Sequence, residues 1–342
     1  MKDGNPRSFC PKSRARAKGR LTAVKIIRDE DVGAGSDRES AVAVGVFDGL
    51  HLGHQRVVQQ IESLARQHDA LATVVTFDPH PAQVLAPASA PLLIATLDQR
   101  LEGLAALGVD QVRVVTFSSA LAQESATSFI ERLLVGELRA RDVVVGEDFR
   151  FGHDREGDVA MLQHVGSTHH FSTHPAPIHG ADNRWSSSAI RLALAGGDLD
   201  AANAILGRPF TLRGTVEHGD TRGAGLGYPT ANVQTASRQQ LPALGIYAGA
   251  ARAGDQRWWP AAISVGTRPQ FYDDGALLVE AHLVGFDGDL YDSAIDVAFV
   301  ARLRGEMTFA GTDELVAQID RDVEKTLEIF GSFTPESSAL LR

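Results

Sequence analysis

The sequence predicts an α/β domain built on a parallel sheet, followed by an antiparallel β-barrel and a C-terminal helix. Three observations carry that prediction. Before residue 207, apolar runs of strand length alternate with stretches of helical periodicity. After it, short β-rich runs are separated by Gly-, Asp- and Arg-rich turns. The length of 342 residues suits two domains better than one core.

The elements follow in order. "AVAVGVF" (41–47) reads as a strand, and Val57, Val58, Ile61, Leu64 and Ala65 recur behind it at helical spacing. "LATVVTF" (71–77) is a second strand, with Leu97, Leu101, Leu104 and Leu107 marking a second helix. "QVRVVTF" (111–117) is a third strand, Phe129, Ile130, Leu133 and Leu134 mark a third helix, and "DVVVG" (142–146) is a fourth strand. Such alternation implies a parallel sheet covered on both faces. "AGGDLDAANAILGRP" (195–209) reads as a short helical connector at the domain boundary. Barrel strands are expected over 210–217, 245–252, 257–264, 277–284 and 294–303. Thr312 has the character of an N-cap for a closing helix carrying Leu315, Ile319, Val323 and Leu327.

Bulk properties narrow the function. Apolar residues make up 44% and charged residues 22%, a globular mixture. No stretch approaches 18 uninterrupted apolar residues, so no membrane span is expected. A lone cysteine, Cys10, rules out an internal disulfide framework and fits a reducing cytoplasm. Residues 1–20 hold seven Lys/Arg against one Asp and read as a disordered basic tail with no part in catalysis. The net charge of −10 therefore leaves the remainder near −16, which argues against nucleic acid as a partner.

"GVFDGLHLGH" (45–54) lies at the end of the first strand, where ligands of parallel sheets gather. A zinc reading of His51 and His54 needs further ligands; no second motif supplies them, and "HHFSTH" (169–174) lacks a suitable frame. A nucleotide reading is better supported. Gly45 and Gly49 permit a sharp turn, Gly53 allows close approach of a ligand, and the following helix offers free N–H groups to phosphates. Histidines there can donate to phosphate oxygens as charge develops on them. In "HGDTRGAGLGYPTANV" (218–233), G-x-G-x-G is not a dinucleotide fingerprint, because it runs into Tyr228-Pro229-Thr230 and not into a helix.

Together with "TFDPHP" (76–81), "VVVGEDFRFGHDREGD" (143–158) and "SSSAIR" (186–191), the histidine motif resembles the FMN adenylyltransferase half of the prokaryotic bifunctional riboflavin kinase/FAD synthetases. "GAGLGYPTAN" resembles the riboflavin kinase signature, so the resemblance spans about residues 40–330. It implies a Rossmann-like nucleotidyltransferase domain over 21–200 and a riboflavin kinase barrel over 201–342, after the tail at 1–20. The implied activities are phosphorylation of riboflavin to FMN and adenylylation of FMN to FAD, with ATP, Mg²⁺ and no nucleic acid or membrane. The chain is expected to be cytoplasmic, and a monomer or weak homo-oligomer.

The resemblance also assigns residues. His51 and His54 fall on the ATP phosphates with Gly45, Phe47, Asp48, Gly49 and Gly53, while Ser187, Ser188 and Arg191 fall on the departing β/γ end. Ser188 stands where the family has Thr and keeps the hydroxyl. Asp148, Phe149 and Phe151 are expected on the wall of the flavin pocket. In the barrel, Gly219, Arg222, Gly223 and Gly227 would wrap phosphates, and Thr230 and Asn232 would hold Mg²⁺ from one face of an extended segment. Glu280 would be the base toward the riboflavin 5′-hydroxyl, with Arg304 on the product phosphate or the flavin edge and Glu306 and Phe309 closing the flavin pocket. Departures from the family pattern are Ala224-Gly225, Ser264 and Gln270. They leave open two rivals, an adenylyltransferase with an impaired kinase barrel and a non-catalytic flavin-binding protein.

Overall fold

The computed structural model describes residues 24–31, 33, 37–177, 185–218, 225–253, 257–267, 277–335 and 338–341. Six strands form one parallel sheet: β1 (Lys25–Ile27), β2 (Ser40–Val44), β3 (Leu71–Asp78), β4 (Gln111–Thr116), β5 (Ala140–Gly146) and β6 (Ser172–Ala176). Their spatial order is β1-β4-β3-β2-β5-β6, parallel at every pair. The chain leaves β2 toward β3 on one side and later places β5 on the other. The C-terminal ends of β2 and β5 therefore bound the switch point, where open α/β sheets bind ligands.

The helices follow from the apolar spacing. In α1 (Leu52–His68), Val58, Ile61 and Ala65 are buried against the sheet, and full burial of a residue such as Ile61 contributes about 1.5–3 kcal/mol. Two short turns, α2 (Pro81–Leu85) and α4 (Ser119–Ala122), flank α3 (Leu97–Ala106), whose Leu101 and Leu104 join the same apolar layer as α1. The other face is covered by α5 (Ala126–Phe129) and α6 (Val159–His169). Between them the expected third helix winds as a π-helix over Ile130–Glu137, still burying Ile130, Leu133 and Leu134. Strands β1 and β6 are additions to the four expected. β1 is three residues long and β6, "STHPA", buries one residue, so neither shows apolar patterning.

Two helices, α7 (Ser187–Gly196) and α8 (Leu199–Leu206), lead to a closed antiparallel barrel. Its strands are β7 (Phe210–Glu217), β8 (Ala231–Thr235), β9 (Gly245–Ala253), β10 (Trp259–Thr267), β11 (Leu277–Leu283) and β12 (Ala294–Arg304), in the order β10-β11-β8-β7-β12-β9. The barrel core includes Ile190 and Leu194 of α7 and Leu199, Ala202 and Leu206 of α8, with α8 packed against β7 and β12. The closing helix, α9 (Thr312–Phe330), lies on β9 and β10. Thr312 is not its N-cap. Gly311 holds that position without a side-chain bond, and Glu314 reaches back to the Ala310 N–H at 2.9 Å. No helix among the described residues is long and apolar enough to cross a membrane.

Candidate functional sites on the sheet and on the barrel

The loop after β2 makes two left-handed turns, at Phe47 and at Gly49–Leu50, before α1 begins. Gly49 has φ +83, and a Cβ there would lie 2.9 Å from Ile94, so glycine is required on both grounds. His51 caps α1, its Nδ1 accepting the His54 backbone N–H at 3.3 Å. The two rings stack with centroids 3.7 Å apart, and the buried Phe47 ring lies 5.0 Å from that of His54. A Cβ at Gly53 would sit 3.1 Å from the His51 ring, so its hydrogen is what keeps the imidazole seated.

Electrostatics fix the state of the pair. Burial pushes His51 down to about 4, and the Arg208 cation behind it adds in the same direction. Burial also holds His54 well below the usual histidine range, with His51 as the second cause. Both rings are neutral at pH 7. Since Nδ1 of His51 accepts a hydrogen bond, its single proton sits on Nε2, where it can be donated outward.

A cavity of about 280 Å³ opens over this corner, bounded by His51, His54, Asp148, Phe149, Trp185 and Ser187. Gly45 and Phe47 belong to the β2 side and Gly146 to the β5 side, as the switch point requires. Phe151, expected on this wall, is instead part of the core. It pairs with Gly157 in a tight turn-back and packs 5.7 Å from Phe129, leaving Phe149 at the cavity.

The "SSSAIR" stretch opens α7 beside the cavity. Ser186 is the N-cap, accepting from the Ala189 N–H, and Ser187 donates to the Asp48 carbonyl at 2.9 Å. Ser188 is exposed on the first turn. Asp48 is almost fully buried and turns away from the cavity: its carboxylate accepts from the Ile94 and Ala95 N–H groups and pairs with Arg191. Arg191 also donates to the Leu92 carbonyl. Asp48 therefore aims Arg191 and fixes the 92–95 segment. A phosphate at Arg191 would use the fork's remaining N–H groups.

Sequence reading missed three supports of this site. Trp185 forms a wall and carries the Arg56 guanidinium 4.2 Å over its ring. Arg100, fully buried, donates to the Val46 and Phe77 carbonyls and the Thr76 hydroxyl, tying the loop after β2 to the end of β3. Arg208 holds the turn before His51 from the barrel side. Arg100 sits in α3 but is a residue type usually exposed, and Trp185 and Arg208 lie outside helices and strands, so none of the three leaves a periodic apolar signal. Among the described residues, no three His, Cys, Asp or Glu side chains gather as a metal-holding group.

The second site lies on the outside of the barrel. Val279 and Ala281 face the core, so Glu280 between them faces outward and is half-buried. It pairs in register with Asn232 of β8 on one side and Ser264 of β10 on the other, and Asn232 in turn pairs with Glu217 of β7. Opposed residues in antiparallel strands share a face, so four oxygen-bearing side chains stand in one row. The segment ahead of β8 is tied to β11 by His282, whose Nδ1 lies 2.7 Å from the Pro229 carbonyl. That places Thr230 two residues from Asn232 on the same face. Tyr228 donates to Asp320 of α9, which joins the glycine-loop exit to the closing helix.

Arg304, at the end of β12, is held by Asp322 of α9 through a 2.7 Å contact and lies 5.9 Å from the Phe309 ring. Its register partner is Ile246 of β9, which pairs with Ser264, so Arg304 stands three strands from Glu280. Glu306 comes back over β10, where its carboxylate would meet a Cβ at Gly266 at 3.4 Å. Gly227, at φ +89, has open space around it. Gly219, Arg222, Gly223, Ala224 and Gln270 lie outside the described residues.

Both halves match known families. The FAD synthetase model matches residues 34–189 and the riboflavin kinase model matches residues 206–330. A bifunctional riboflavin kinase/FMN adenylyltransferase from Pseudomonas fluorescens is 38% identical over 287 residues, 84% of this chain and 91% of that protein. The chain belongs to the bifunctional riboflavin kinase/FMN adenylyltransferase family. Members from Escherichia coli K12 and Bacillus subtilis are 38% and 33% identical, each over 86% of this chain. The crystal structure of a protein described as a macrolide-efflux protein, from Streptococcus pneumoniae, shares the fold. It superposes with a TM-score of 0.79 at 29% identity, over 91% of this chain and 100% of that one. As a member of this family, the chain joins its sheet cavity and its barrel row in one polypeptide.

Proposed function

We propose that this chain makes FAD from riboflavin in two ATP-dependent steps, with an adenylyltransferase unit over 21–200 and a kinase unit over 201–342. The observation that carries the reading is the presence of both family matches in one chain, each over its own candidate site. In the kinase step the riboflavin 5′-hydroxyl attacks the γ-phosphorus of ATP, its proton passes to Glu280, and ADP leaves. Such base catalysis is worth roughly 10²–10⁴-fold. In the second step an FMN phosphate oxygen attacks the α-phosphorus of a second ATP and pyrophosphate leaves. That oxygen is already ionised near neutral pH, so the site's work is positioning and charge stabilisation.

His51 supplies an Nε2–H donor from its neutral ring, while the first turn of α1 adds backbone N–H groups. Ser187 and Arg191 take the departing end. Asp148 and Phe149 flank the flavin. In the barrel, the hard oxygens of Thr230 and Asn232, beside the carboxylates of Glu217 and Glu280, fit a Mg²⁺ ion. When bound, Mg²⁺ would neutralise phosphate charge. Arg304, Glu306 and Phe309 line the flavin's far side.

The substrates are small molecules, and the acidic body disfavours nucleic acid. Monomer or weak homo-oligomer and a cytoplasmic location complete the reading. The test is incubation of the purified chain with riboflavin, ATP and Mg²⁺ followed by chromatography. FMN appearing first and FAD second is the expected result, and a failure to form either nucleotide would overturn it.

A further inference from the structure

Arg208 belongs to the stretch matched by the riboflavin kinase model, yet its contacts are with the nucleotide loop of the other unit. Its Nη2 donates to the Gly49 carbonyl at 2.8 Å, and its Nη1 lies 3.3 Å from the carbonyls of Leu50 and Leu206. Gly49 and Leu50 are the two residues before His51. Gln55 of α1 reinforces the junction, donating to Leu50 and to Leu206 at 2.9 and 3.1 Å. At Gly207 a Cβ would come 2.5 Å from Leu52, the first residue of α1. The 206–208 connector is thus seated against the turn that sets the position of the histidine pair.

The charge of Arg208 is also unusual. Among the described residues no carboxylate forms an ion pair with it, and burial pushes its guanidinium down to about 10, so it stays cationic at neutral pH. A partly buried guanidinium held by carbonyls alone, with no carboxylate beside it, keeps its charge at a desolvation cost.

From these contacts we infer that Arg208, a residue of the kinase segment, is a positioning residue for adenylyl transfer. It pins the Gly49–Leu50 turn behind His51 and places positive charge on the protein side of the phosphate corner. The inference rests on the adenylyltransferase reading above. It makes the FAD-forming step depend on a residue outside the FAD synthetase match, while the FMN-forming step has no use for it.

The test compares wild type, Arg208→Met and Arg208→Lys as full-length chains, measuring both steps and thermal unfolding. A small displacement of a positioned group is worth on the order of 10²-fold. Arg208→Met is therefore expected to lower kcat for FAD formation by about that factor, with KM for FMN and the kinase step near wild type. Arg208→Lys keeps the charge but not the fork, and is expected to restore part of the loss. The groups facing His51 are Arg208 and His54, so in Arg208→Met the His51 ring, followed by NMR, should titrate higher than in wild type. FAD formation at the wild-type rate in Arg208→Met would overturn the inference, as would equal loss of both steps in a folded chain. If Arg208→Met does not fold, Arg208→Lys decides: a selective loss of FAD formation supports the inference and a wild-type rate overturns it. A wild-type chain that makes FMN but no FAD would instead overturn the reading beneath it.

Discussion

His51 combines two observed tasks in one ring, N-cap of α1 and stacking partner of His54, with the proposed one of phosphate donor. These tasks need the neutral form, and pH dependence follows. Its folded-state value of about 4 lies below the ordinary 6.5, so the unfolded chain binds the proton more readily. The stability this provides is complete above pH 6.5 and is lost as pH falls from 6.5 toward 4. A shift of that size amounts to about 3 kcal/mol, and His54 acts in the same direction. Urea unfolding at stepped pH should show the N-terminal unit losing less stability across this window in His51→Asn than in wild type. Asparagine is a good N-cap, so helix initiation survives while the titration is removed. An unchanged slope in the variant would show that His51 is not the group responsible. At this scale the sequence was legible where residue types carry chemistry, as for the histidine pair. It was misleading for Phe151, whose aromatic character suits a core as well as a pocket. It was silent on Arg208, because a partly buried arginine bonded to carbonyls has no sequence pattern.

Elements were legible in proportion to their periodicity. The alternation of buried strand and amphipathic helix located β2, β3, β4 and β5 and the helices between them, because burial on both sheet faces selects that pattern. The short edge strands β1 and β6 bury few residues and escaped it. The start of α9 shifted by one because Gly311 and Glu314 do what a threonine cap would have done. At α7 the element and the site coincide: Ser186 caps the helix, and Ser187 fixes the loop at Asp48. Ser186→Ala removes the hydroxyl that accepts the Ala189 N–H, at a cost of about 1 kcal/mol. Thermal unfolding should register that loss, and FAD formation should fall while FMN formation does not. A matching fall in both activities would mean that the α7 terminus serves the whole fold rather than one site.

At the scale of the molecule, the question is how FMN passes from the barrel to the sheet. The units are joined by the α7–α8 connector, by an Arg213–Glu102 ion pair at 2.7 Å and by the C-terminal residues Leu340 and Leu341. Between them, among the described residues, lies a polar cavity of about 90 Å³, edged by Gly103, Arg213, Trp258 and Leu340. That is about a third of the 280 Å³ of the sheet cavity. Release of FMN from the barrel to solvent, and its capture at the β2–β5 corner, is the expected route. Two variants test this: Glu280→Gln blocks FMN formation, and His51→Asn slows FAD formation. Neither chain alone should convert riboflavin to FAD at the wild-type rate. A mixture of the two should do so, with a lag that shortens as protein concentration rises, because the intermediate diffuses between molecules. If each variant retains its own remaining step and the mixture still forms no FAD, the transfer occurs within a chain and the solvent route is wrong.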